Sequence, residues 1–215
     1  MKPSVGRLHV ITDMTIQDRF SHIGLAMMAI AGGTDTIQFR EKLMGSRMVV
    51  EAGVLIRGLC REAGVMLIVN DRVDVAMALD ADGVHLGQRD LPIPVARSLL
   101  GPAKLIGGTA STPEEARAVE AQGADYVGFG HVYATSSKSK TGAPKGPDAV
   151  REVCEAVTIP VIAIGGIDAS NLKPVVAAGA WGAAVIGAVC AARDPRAATA
   201  ELAAMLGIGG RSPRE

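Results

Sequence analysis

One Trp, two Tyr and three Phe are all the aromatic side chains that 215 residues carry. RNA-reading modules stack bases on aromatic platforms, so this scarcity argues against such a role. Charge of one sign is also missing, because 22 Lys and Arg balance 22 Asp and Glu. The chain has no net field to attract nucleic acid or an anionic membrane, and any anion must be recognised locally. The nearly apolar runs 23–31 and 181–192 fall short of the roughly 18 residues that a membrane span requires. Segment 1–13 places His9 and Asp13 where a signal peptide would be apolar. Cysteine is scarce too: Cys60, Cys154 and Cys190 are odd in number, far apart and form no C-x-x-C pair. Three buried thiols in a cytoplasmic protein is the expectation that follows. What is plentiful is small and apolar, with 48% hydrophobic residues and 26 Gly. A chain of this length buries roughly 70% of its unfolded surface, so it needs neither disulfide nor metal to fold.

Short β-branched runs recur along the chain, each followed by a polar or Gly-rich turn and then an Ala/Leu/Glu/Arg-rich helical pattern. There are eight, at 8–12, 35–39, 66–69, 83–86, 104–107, 126–129, 161–164 and 183–186. They lack the alternation of a half-exposed strand, so they read as parallel strands covered on both faces. Their entries also repeat, as in Gly32-Gly33-Thr34-Asp35, Ala81-Asp82-Gly83 and Gly123-Ala124-Asp125, with Gly where a helix must stop. Ser111-Thr112-Pro113-Glu114-Glu115 supports the register as a helix start with cap, first-turn Pro and acids facing the helix dipole. Eight βα units in one chain predict a single-domain (β/α)8 TIM barrel over 1–206, with 207–215 expected as a frayed, disordered tail.

Such barrels gather their chemistry in the loops after the carboxyl ends of the strands. Gln38-Phe39-Arg40-Glu41-Lys42 alternates as a strand end should, which puts Gln38, Arg40 and Lys42 on one side, towards the mouth. A guanidinium fork and an ammonium beside an amide suit a phosphate-rich ligand, while Glu41 also suits an internal salt bridge. Asn70-Asp71-Arg72 and Asp90 bring two carboxylates to neighbouring strand ends, a hard-oxygen set that selects Mg²⁺ bridging to a diphosphate. Thr109 follows the fifth run. Loop 130–146, with Thr135, Ser136, Ser137 and Lys138, is long, hydroxylated and basic, as a lid over phosphate would be. Gly165-Gly166 and Ile186-Gly187 fit the phosphate cradle that these barrels build after the seventh and eighth strands.

Taken in order, His9-Val10-Ile11-Thr12-Asp13, Gln38 to Lys42, Asn70-Asp71-Arg72-Val73-Asp74, Gly83-Val84-His85-Leu86-Gly87-Gln88-Arg89-Asp90, Gly123-Ala124-Asp125-Tyr126, Thr135 to Lys138 and Ala163-Ile164-Gly165-Gly166-Ile167 resemble the thiamine-phosphate synthases and their relatives, the thiazole tautomerases. The resemblance implies a transferase of thiamine biosynthesis that joins a hydroxymethylpyrimidine diphosphate to a hydroxyethylthiazole phosphate and releases pyrophosphate. Carried over by position, Gln38, Arg40, Lys42, Asn70, Thr109 and Lys138 would hold the pyrimidine diphosphate, with Phe39 and Glu41 of the same motif counted among the substrate-binding residues. Asp71 and Asp90 would bind Mg²⁺, and Thr135, Ser136, Ser137, Gly166, Ile186 and Gly187 would hold the thiazole phosphate. Arg40, Lys42 and Lys138 would neutralise the leaving group as catalytic cations.

The chain departs from the synthase pattern at three places. Thr109 and Gly187 stand where synthases usually carry Ser, and Gly130-His131 stands where many have Gly-Pro and tautomerases have Gly-His. A tautomerase using His131 for proton transfer is therefore the second expectation, and a non-catalytic phosphate-metabolite-binding barrel the third. The implied partners are small phosphorylated molecules, with no nucleic acid and no membrane; a homodimer is one option that the sequence leaves open.

Overall fold

The computed structural model describes residues 2–135 and 143–208. Strands β1 (Leu8–Thr12), β2 (Thr36–Phe39), β3 (Met66–Asn70), β4 (Gly83–Leu86), β5 (Leu105–Ala110), β6 (Tyr126–Gly130), β7 (Val161–Ile164) and β8 (Gly182–Val185) pair in sequence order and close into a parallel barrel. Around it run α1 (His22–Ala31), α2 (Ser46–Ala63), α3 (Val73–Ala78), α4 (Ile93–Leu100), α5 (Pro113–Ala121), α6 (Gly146–Ala156), α7 (Leu172–Ala177), α8 (Gly187–Cys190) and α9 (Pro195–Met205). Among the described residues no helix is long and apolar enough to cross a membrane.

Strand alternation divides the core in two. Val10, Ile37, Phe39, Leu67, Val69, Val84 and Ile106 point outwards and pack on buried helix residues such as Ile56, Ala96 and Val153. Each such aliphatic side chain contributes about 1.5–3 kcal/mol on leaving water, and this interlayer cluster holds helices to barrel. The intervening positions point inwards, where a smaller cluster with Ile11, Tyr126, Ile162 and Ala184 fills the barrel. Helix starts follow the sequence signals. Thr112 Oγ1 accepts from Glu115 N at 3.2 Å, Glu115 Oε2 accepts from Ser111 N at 2.6 Å, and Pro113 opens α5. Burial pushes the Cys60 thiol up to about 12 and those of Cys154 and Cys190 up to about 11, so none is poised to react.

Most strand bounds agree with the expectation to within one residue, and two boundaries move further. Gly107 and Gly108 pair with Tyr126 and Val127, which carries β5 through Ala110 and makes Thr109 an inward strand residue instead of a loop residue. Gly207 and Ile208, placed in the tail by sequence, instead close α9. Gly207 takes a φ of 65° and Ile208 N donates to Ala203 O at 2.9 Å, with the Ile208 side chain packed on the core. Residues 209–215 of the expected tail lie outside the described residues.

Candidate active site

The carboxyl ends of β1 to β4 bring cations and carboxylates together. Arg40, just beyond β2, pairs through Nη1 with Asp13, itself buried beyond β1 and held by the N–H and hydroxyl of Thr15. Its Nε is buried without a partner among the described residues. Lys42 reaches Asp71, whose other oxygen accepts from Asn70 Nδ2 at 2.8 Å. This leaves Asn70 Oδ1, inside the mouth, as a second buried atom with no partner among the described residues. Asp71 adopts a φ of 63°, left-handed backbone that Asp and Asn tolerate better than most residues, and this turns its carboxylate back towards Lys42. Asp90 faces Asp71 and accepts from Gly87 N at 2.6 Å. Burial, together with the neighbouring Asp71 charge, raises the Asp90 carboxyl above the usual carboxylate range, even though Gly87 N–H and Lys42 pull the other way. Two facing carboxylates, beside an amide oxygen with no partner among the described residues, form a donor set suited to a hard divalent cation that takes its remaining ligands from water and phosphate.

Below the mouth, the barrel encloses a cavity of about 60 Å³ lined by Gln38, His9, Ile11, His85, Thr109, Tyr126, Gly128, His131, Ile162 and Ile186. This wall is mostly apolar with a few fixed polar groups, as a small planar ring would require. His9 Nε2 faces Gly6 O at 3.3 Å, and burial lowers its pKa to about 4 despite opposing effects of Asp35 and the Gly6 carbonyl, so the ring is neutral. His131 follows a cis Gly130-His131 peptide and is buried against Gly165. A second, more polar cavity of about 240 Å³ adjoins the first through Thr135, Ile164, Gly165 and Ile186, and extends to Gly166, Asp168 and Gly187. Gly165 and Gly166 have φ values of 103° and 64°, and a Cβ on Gly166 would lie 2.3 Å from Ala134 O. Only glycine lets the β7 loop lie this close to the β6 loop and turn its backbone towards the cavity.

Of the sequence candidates, Gln38, Arg40, Lys42, Asn70, Asp71, Asp90, Thr109, Thr135, Gly166, Ile186 and Gly187 line the mouth or the two cavities. Phe39 does not: its ring points outwards, 1% exposed and edge-on to His22 at 5.0 Å, leaving only its backbone near the site. Glu41 turns away as well. Its Oε2 meets His22 Nε2 at 2.8 Å, and Oε1 accepts from Leu43 N and from Met44 N at 3.1 Å. These backbone and His22 hydrogen bonds outweigh its burial and lower its pKa, so Glu41 stays an anion that braces the β2 loop. Arg72 also turns aside, bonding Asp74 at 2.5 Å. Ser136, Ser137 and Lys138, with the lid expected there, lie outside the described residues. Sequence reading undervalued Asp13, His9, His85 and Tyr126. The signal was available in strand alternation, since His9 and His85 occupy the same inward parity as Ile11 and Gly83.

Comparison with known proteins bears on this geometry. Residues 8–189 match the family model of thiamine monophosphate synthase. A thiamine-phosphate synthase of Salinibacter ruber is 51% identical over 203 residues, covering 94% of this chain and 89% of that protein. One from Moorella thermoacetica is 52% identical over 81% of this chain and 83% of its own length. Among solved structures, thiamine phosphate pyrophosphorylase from Pyrococcus furiosus superposes with a TM-score of 0.85 at 41% identity, covering 94% of this chain and 95% of the other.

Proposed function

The chain belongs to the thiamine monophosphate synthase family, and we propose that its barrel mouth joins a hydroxymethylpyrimidine diphosphate to a hydroxyethylthiazole phosphate, yielding thiamine phosphate and pyrophosphate. The observation that carries this reading is the convergence of Arg40, Lys42, Asn70, Asp71 and Asp90 above a mostly apolar cavity, with Arg40 Nε and Asn70 Oδ1 buried and without a partner among the described residues. Unsatisfied buried polar atoms are costly, about 1–3 kcal/mol each, and a bound diphosphate offers Arg40 the acceptors it lacks.

In this scheme the pyrimidine ring enters the central cavity against Gln38 and Thr109, and its diphosphate emerges among the cations. Asp71 and Asp90 fit Mg²⁺, which when bound would supply positive charge to the departing pyrophosphate. Arg40, fixed by Asp13, presents a guanidinium that does not have to reorganise as charge develops on the leaving group. Lys42 exchanges its Asp71 partner for phosphate. The aminopyrimidine is electron-rich enough to carry the methylene cation left when the C–O bond breaks. The thiazole phosphate lies in the adjoining cavity against backbone N–H groups of Gly166 and Gly187 and the Thr135 hydroxyl, which orients the thiazole nitrogen for attack. The two cavities share a wall, so the reacting atoms can meet without crossing solvent. Ser136, Ser137 and Lys138 complete the proposed set from the β6 loop.

His131 in the cavity wall favours a second reading, proton transfer on a thiazole carboxylate. Such a reaction leaves the carboxylate pair and Arg40 without work, and condensation is the reading adopted. The test is to incubate the protein with both phosphorylated precursors, with and without Mg²⁺, and measure thiamine phosphate by chromatography. Mg²⁺-dependent turnover is the expected result; isomerisation of carboxythiazole phosphate without condensation would replace it with the second reading.

A further inference from the structure

Behind the Thr109 hydroxyl, which the proposed condensation places beside the pyrimidine diphosphate, runs a chain of hydrogen bonds through the middle of the barrel. Tyr126 Oη lies 3.2 Å from His85 Nδ1, and His85 Nε2 lies 2.9 Å from Thr109 Oγ1. The Tyr126 ring is buried between two imidazoles, stacked on His85 with centroids 5.5 Å apart and edge-on to His9 at 5.4 Å. Barrel interiors are usually filled by branched aliphatic side chains. Here two inward positions are glycine instead. A Cβ on Gly107 would sit 2.1 Å from the Tyr126 ring, and one on Gly128 would sit 2.6 Å from His85 Cε1. The backbone thus gives up two side chains to house this polar stack, which costs conformational entropy on folding and needs a reason.

The chain also has a direction. Burial drives the Tyr126 phenol far above its ordinary range, with the Asp125 charge adding to the effect, so the phenol keeps its proton and can donate it. Among the described residues His85 Nδ1 is the one hydrogen-bond partner that Tyr126 Oη has. A ring whose Nδ1 accepts that proton carries its hydrogen on Nε2, which then donates to Thr109 Oγ1. With that oxygen already accepting from below, the threonine proton is left to point up into the cavity that Thr109 lines.

We propose that Tyr126 and His85 are positioning residues that orient the Thr109 hydroxyl as a hydrogen-bond donor to an acceptor atom of the pyrimidine substrate. Both also line the cavity, but this role runs through Thr109: they fix which way a group at the wall is polarised. The inference rests on the condensation reading for its substrate, while its hydrogen-bond direction is a property of the protein alone.

Two measurements separate these. In protein labelled with ¹⁵N-histidine, with His85 assigned by the signals lost in His85→Gln, the wild type at neutral pH should show a pyridine-type Nδ1 and a pyrrole-type Nε2. Tyr126→Phe keeps the stacked ring and removes the donor, so its His85 nitrogens should move towards the averaged shifts of exchanging tautomers. In the condensation assay, Tyr126→Phe should lower kcat/KM for the pyrimidine diphosphate roughly five- to tenfold, as expected for one misdirected hydrogen bond, with the KM for thiazole phosphate unchanged. Thr109→Val should show a loss of that size or larger, Thr109→Ser should restore most activity, and adding Tyr126→Phe to Thr109→Val should cost nothing more. A wild-type Nδ1–H tautomer, an imidazolium, unchanged shifts in Tyr126→Phe, or full additivity in the double variant would each overturn the proposal. Absence of condensation in the wild type would instead overturn the functional reading, with the tautomer still deciding the relay.

Discussion

At the amino-terminal end of the barrel, Asp35, Asp82 and Asp125 each precede an even-numbered strand and accept from the backbone of the odd-numbered strand before it: Asp35 from Leu8 N at 3.1 Å, Asp82 from Leu67 N at 2.8 Å and Asp125 from Ile106 N at 2.8 Å. Arg57 and Arg97 then neutralise Asp82 and Asp125 at 2.6 and 2.7 Å. At the carboxyl end, Asp71 and Asp90 face each other; among the described residues buried atoms without a partner occur at both ends, Arg57 Nε at the first and Arg40 Nε and Asn70 Oδ1 at the second. The same residue types set carboxylates against backbone N–H groups and arginines at one end, and set two carboxylates against each other at the other. A carboxylate that accepts from backbone N–H groups or an arginine stabilises the fold, whereas one that faces another carboxylate gains from a cation between them. Stability and activity should therefore respond to mutation at opposite ends.

The sharpest separation comes from Asp71→Asn. Asn tolerates the positive φ, so unfolding should be little changed, while thiamine phosphate formation at saturating Mg²⁺ should fall roughly a hundred- to a thousandfold. Comparable activity in that variant would break the contrast. Between the two ends lies His9, neutral because burial lowers its pKa to about 4. Its folded pKa lies below that of the unfolded chain, near 6.5, so its effect is absent above that pH, and stability is lost as the unfolded state takes up protons on acidification. The loss should reach about 3 kcal/mol by pH 4. Denaturant titrations of His9→Gln across this window should show a shallower acid limb than the wild type; identical limbs would mean that His9 is not the buried neutral base. At the amino-terminal end, Asp125→Asn weakens the Arg97 pair and the Ile106 contact together. It should lower stability by about 2 kcal/mol, read from urea midpoints, with kcat/KM within a factor of two of the wild type.

Fold and site differed in how much of them could be read from the sequence. The barrel was legible because parallel buried strands leave continuous apolar runs and several helices stop at Gly, as at Gly123 with its φ of 88°, although α3 stops at Asp80 with a φ of 46°. The mouth cations and carboxylates were legible because polar residues that directly follow a buried apolar strand must emerge at the barrel rim, where the strand ends meet. Phe39 and Glu41 were misplaced because a contiguous motif invites reading every member as a ligand contact, whereas the pleat sends Phe39 outwards and the turn folds Glu41 onto Leu43 and Met44. The interior network was hidden for another reason. Nothing local to His85 or Thr109 announces that β4, β5 and β6 bring them beside Tyr126, since that follows from barrel register and from the space left by Gly107 and Gly128.

The smallest expected effect tests how finely the carboxyl end is tuned. Gly187 follows β8 beside the second cavity, where the family resemblance implies Ser, and its φ is not in the left-handed region that would exclude a side chain. A backbone N–H can hold phosphate at this position, and a serine hydroxyl would add one donor to an anion already bound. One such bond is worth about 1 kcal/mol, so Gly187→Ser should lower the KM for thiazole phosphate roughly fivefold. Leaving-group departure is handled at Arg40 and Lys42, beyond β2 and on the far side of β1 from β8, so kcat should stay constant. Initial rates over a range of thiazole phosphate concentrations would show this split. A change in kcat with constant KM would instead place Gly187 beside the breaking bond and move the boundary between the two subsites towards β8.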